Sequence, residues 1–81
     1  PGQHEIYGTI KSVNGDSIAI QTRDGRIMII DASRASASFD KAQPWVGHAL
    51  MARGRFDASG ALVAVYVMHA KDHAAMWQPD R

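Results

Sequence analysis

Tyr7, Arg26, Met51, Arg53 and Arg55 form the best candidate binding surface in this chain. Met51, Arg53 and Arg55 occupy alternate positions of one run, so in a strand they share a face. Two guanidiniums on one face present forked donors to an anion, and the Tyr7 phenol beside them adds a ring for stacking. The simpler reading is a solvated strand face whose charges deter edge-to-edge pairing.

A second set is His69 and His73, spaced to share one face of a helix, with the thioethers of Met68 and Met76 nearby and His48 as a further imidazole. Imidazole and thioether together suit copper, and imidazole alone suits zinc. The simpler reading is a polar tail that happens to carry two histidines. Ser33, Ser36 and Ser38 stand near Asp31 and Asp40, but no glycine-framed nucleophile and no adjacent base accompany them. The expectation is therefore a non-enzymatic protein with no catalytic residues and no cofactor.

Composition narrows the classes further. Eighty-one residues make one domain, and nine basic against eight acidic residues leave a net charge of +1. Proteins held on nucleic acid by bulk charge carry a strongly basic face, so this balance disfavours a nucleic-acid partner. Without cysteine there is no disulfide, thiolate zinc site or thiol nucleophile. The longest apolar stretch, Ala61 to Met68, is far short of a membrane span, so no membrane insertion is expected. The sequence starts at Pro1 rather than Met, which suggests a removed upstream segment.

The elements that must position these residues are short apolar runs separated by turn dipeptides. Asn14-Gly15 and Asp24-Gly25 are hairpin connectors between three runs at His4–Val13, Ser17–Thr22 and Arg26–Asp31. Val13 breaks the alternation of the first run, which predicts a bulge or twist near Lys11-Ser12. Gly8 within it predicts tight coiling or a close backbone approach. An Ala/Ser-rich stretch from Ala32 to Gln43, stopped by Pro44, reads as one or two helical turns, with Phe39 or Trp45 plugging the barrel. Asp31 or Ser33 is its candidate cap. A fourth run follows Gly47, then the turn Asp57-Ala58-Ser59-Gly60, then a fifth run from Ala61 to His69. The expected core is Ile10, Ile18, Ile20, Ile27, Ile29, Leu50, Ala52 and Leu62.

Three strands, a short plug and two more strands is the chain order of an OB-like, five-stranded antiparallel Greek-key barrel. The domain is expected to span 1–69, followed by a weakly helical tail at 70–81 in which Trp77 docks on the barrel. OB-folds bind oligonucleotides and oligosaccharides on strands two and three and the flanking loops. Here those strands and the loops Asn14-Gly15-Asp16 and Asp57-Ala58-Ser59-Gly60 contain no aromatic residue.

The run Gly8-Thr9-Ile10-Lys11-Ser12-Val13, the segment Ser17 to Arg26, the run Val46 to Gly54 and the run Gly60 to Ala64 together resemble a family of small, uncharacterised, mostly exported bacterial OB-like domains. The resemblance implies a periplasmic or secreted location and supplies no catalytic residues. Trp45, His48 and Met51 also resemble the site of the CusF-type periplasmic copper and silver chaperones, which are small barrels too. In this chain Pro44 precedes the tryptophan and a single Met follows it. The combined expectation is an envelope binding or accessory module, monomeric or weakly oligomeric. Its partner is a protein or an oligomeric ligand, with single-stranded nucleic acid, oligosaccharide or soft-metal binding as alternatives.

Overall fold

The computed structural model describes residues 2–37 and 46–69. Within them the chain is all β: β1 (His4–Asn14), β2 (Ser17–Thr22), β3 (Ile27–Asp31), the two-residue β4 (Ser36–Ala37), β5 (Ala49–Phe56) and β6 (Leu62–His69). The strand order is β3-β2-β1-β5-β6-β4, and a parallel pairing of Ile30 with Leu62 and Asp31 with Val63 joins β3 to β6. That pairing closes five strands into a barrel whose chain order is OB-like. β4 adds a short parallel pairing to the far end of β6. No helix among the described residues is long and apolar enough to cross a membrane.

Strand alternation builds one core. Ile10, Ile20, Ile30, Leu50, Leu62 and Val67 are its largest fully buried side chains, with Ile18, Ala52 and Ala64 packed among them. The expected bulge in β1 is present: the β1–β2 register shifts between Ile10 and Ser12. Gly8 lies where a Cβ would come 2.7 Å from Ile20 Cδ1 and 2.9 Å from the Gln21 carbonyl oxygen, the predicted close approach. A second irregularity lies in β6. Arg53 pairs with Tyr66 and Gly54 with Ala64, so Val65 is an extra residue and points outward.

One expectation is corrected. Ile27 and Ile29 are 59% and 42% exposed, whereas Ile30 is fully buried and Met28 packs against the core. Register explains the change, because Ile18 pairs with Ile30 and Ile20 with Met28, and cross-strand partners share a face. The connection from β2 to β3 is a three-residue loop. Thr22 N–H donates to the Arg26 carbonyl (2.8 Å) and Gly25 N–H to the Thr22 carbonyl (2.9 Å), with Gly25 at φ 92°. A two-residue Asp-Gly turn would instead have aimed Ile27 and Ile29 inward.

The β5–β6 turn repeats this loop. Asp57 N–H donates to the Ala61 carbonyl (2.8 Å) and Gly60 N–H to the Asp57 carbonyl (3.1 Å), with Gly60 also at φ 92°. Asp31 caps a turn rather than a helix: its Oδ1 accepts from Ser33 N–H (3.0 Å) and Ser33 Oγ (2.7 Å). Of the stretch expected to be a helical plug, Ala32 to Ala37 is a turn and the strand β4. The rest of it, with Phe39 and Trp45, lies outside the described residues, as does the tail with Trp77.

Candidate functional site: a groove at the end of β1

β1 is longer than the strand beside it. Its pairing with β5 starts at His4, but its pairing with β2 starts only at Gly8, opposite Thr22. Beyond that point β2 turns away into the Arg23-Asp24-Gly25 loop. The gap is an open groove of about 670 Å³ lined by Glu5, Ile6 and Tyr7 of β1, by Thr22, Arg23, Asp24 and Arg26 around the loop, and by Met28 of β3. Ile6 and Met28 are partly buried against the core, so they form an apolar floor.

Most of the charge in the groove is internally bound. Arg26 Nε lies 3.0 Å from Asp24 Oδ2, and both side chains are well exposed. The Thr22 hydroxyl donates to the other Asp24 oxygen. That hydrogen bond, with Arg26 adding to it, holds the Asp24 carboxyl below the usual carboxylate range. Across the sheet, Glu5 sits opposite Arg53 in the β1–β5 register. Glu5 Oε2 accepts from Arg53 Nε (3.2 Å) and Nη2 (2.7 Å), and the Tyr7 hydroxyl lies 3.4 Å from Glu5 Oε1. Arg23 makes no ion pair among the described residues and is exposed.

The structure therefore brings Tyr7 and Arg26 into one groove and links Arg53 to it through Glu5. Arg55 shares the outer face of β5 and lies beside Gly2, away from the groove. Met51 is on that face too, but it is only 5% exposed, between Tyr7 and Met68 in the register, so it offers little surface for binding. Arg23, Glu5, Ile6, Thr22, Asp24 and Met28 were not singled out by the sequence. The only signal for Arg23 was its place in a hairpin loop.

Among the metal candidates, His69 stacks against His48, with ring centroids 4.9 Å apart. His73 lies outside the described residues. Consecutive strand residues point to opposite faces, so Met68, opposite Met51, diverges from His69, opposite Leu50. Among the described residues no group of three or more His, Cys, Asp or Glu side chains is placed to hold a metal ion. No protein-family model matches the chain, and no curated protein matches it.

Proposed function

We propose that this protein is a non-enzymatic binding module of the cell envelope that takes an oligomeric ligand in the groove at the end of β1. The observation that carries the reading is the groove itself, with an apolar floor, one phenol and several polar groups converging on it. The compensated charges favour an uncharged or weakly charged ligand over a polyanion. The envelope location rests on the resemblance to exported domains. It is tested by fractionating cells that express the natural gene, and recovery in the cytosol alone overturns it.

The groove is tested by amide NMR with three probes: an oligothymidylate, a chitooligosaccharide and a pool of capped pentapeptides. At least one should move the signals of Thr22, Arg23 and Met28 and lose that effect in Arg26→Ala. Silence of all three at about millimolar concentration rules out the binding reading.

A further inference from the structure

One wall of the groove is a strand edge that no strand among the described residues covers. Ile10 N–H donates to the His48 carbonyl and the Ile10 carbonyl accepts from Gly47 N–H, both at 2.8 Å, so the main-chain groups of Ile10 face the β5 side. Strand geometry alternates these directions, so Gly8 and Ile6 also face β5, and Thr9, Tyr7 and Glu5 face the β2 side. Thr9 meets Gln21 there. The Gly8–Thr22 pairing sets the Tyr7 carbonyl against Arg23 N–H, the last β2-side partner, and Glu5 meets no strand among the described residues. The Tyr7 N–H and the Glu5 N–H and C=O therefore face the groove with no strand partner among the described residues.

We propose that the groove binds an extended peptide segment, which pairs with β1 at Glu5 and Tyr7 as an added strand and sets an acidic side chain against Arg23. This deepens the groove reading above and rests on it. A free N–H at Tyr7 and a donor–acceptor set at Glu5, two residues and about 6.8 Å away, match another polypeptide strand. Phosphates offer acceptors alone, and sugar hydroxyls do not present one N–H donor beside one C=O acceptor along an edge. Peptide residues on the inner side of the added strand meet Ile6 and Met28, and those on the outer side meet the Tyr7 ring. Both groove carboxylates are already bound to arginines, while Arg23 is not bound to an acid among the described residues. An aspartate or glutamate in the peptide is its complement.

The test uses the full chain with a pool of capped pentapeptides that carry Asp at one position, followed by amide NMR. Binding should shift the Glu5 and Tyr7 amide signals downfield and slow their exchange. N-methylation of alternate peptide residues should abolish binding in one register and preserve it in the other. Replacing the peptide Asp by Asn should weaken binding roughly two- to fivefold, and Arg23→Gln, in an exposed loop, should remove that difference. Equal binding of both N-methylated registers overturns the proposal, as does a pool that leaves Glu5 and Tyr7 unmoved. If the chitooligosaccharide or oligothymidylate fills the groove while the peptides do not, the peptide assignment fails and the groove reading survives. If none binds, both fail.

Discussion

At Gly54 there is no room for a side chain. An added Cβ would meet the Val63 carbonyl oxygen and come 2.7 Å from Ala64 Cα, both backbone atoms that cannot swing aside. At Gly8 the nearest atom is instead the mobile end of Ile20, although the Gln21 carbonyl oxygen is close behind. Both alanine substitutions should destabilise the barrel, Gly8→Ala by about 1–3 kcal/mol and Gly54→Ala by more, as overpacking forces backbone shifts. Urea unfolding curves give the ranking, and the reverse order would contradict the packing described for β6. The sequence marked Gly8 because a glycine interrupts a strand run. Nothing in the sequence marks Gly54, since its crowding depends on the bulge at Val65, which an all-apolar segment hides. Site residues follow the same division. Tyr7 and Arg26 were legible as a phenol and a cation on strands, whereas Arg53's partner, Glu5, is distant in sequence and becomes visible only through the β1–β5 register.

Turn length decides the faces of whole strands. Ile27, Met28, Ile29 and Ile30 are all apolar, so composition cannot say which pair is inside, and a single extra loop residue reverses the answer. The register sets up a direct contrast: Ile30→Ala should cost about 2–5 kcal/mol as a buried truncation, and Ile29→Thr less than about 0.5 kcal/mol as a surface change. Comparable losses at both positions would refute the pairing of β2 with β3. Turns also give the element-level pH response. Asp57 Oδ1 accepts from Ser59 N–H (2.8 Å), Ser59 Oγ (2.6 Å) and Ala61 N–H (3.1 Å), and the Ser59 hydroxyl bond leads in lowering its pKa below 3.8. Asp31 is lowered chiefly by Ser33 and Asp24 chiefly by Thr22. A carboxyl with a lowered folded pKa contributes fully above its unfolded value and loses that contribution as pH falls through the folded value. The melting temperature should therefore stay level from neutral pH to about 5 and drop below about 4, and Asp57→Asn should flatten that drop. An onset well above pH 5 would contradict the role given to these carboxyls.

Over the whole molecule, the hairpin rhythm of the sequence was enough to give an all-β barrel, because turn dipeptides and alternation are local signals. The groove was not legible, since it exists only where β1 extends past β2 and the loop after β2 curls beside it. Global charge was legible, and it makes its own prediction. With a net charge of +1 and most groove charges paired, labelled oligonucleotides should show no anisotropy change at low salt and high micromolar protein. A steeply salt-dependent rise would reverse that view. Stability is the other property of the whole. Leu50 is fully buried on β5, which is hydrogen-bonded to β1 on one side and β6 on the other, with Gly8 and His69 as its register partners. Every strand of the closed barrel reaches the core that Leu50 helps fill, so its truncation cannot be confined to one hairpin. Leu50→Ala should cost about 2–5 kcal/mol. A domain of this size has on the order of 5 kcal/mol in total, and each kcal/mol lowers the melting point by about 4–8 °C. The variant should therefore melt at least about 8 °C lower, in a single transition seen alike by far-UV circular dichroism and by exchange of the Ile20 and Leu62 amides. Two separate transitions, with β1–β3 outlasting β5–β6, would mean that the two-pair parallel seam between β3 and β6 does not bind the barrel into one cooperative unit.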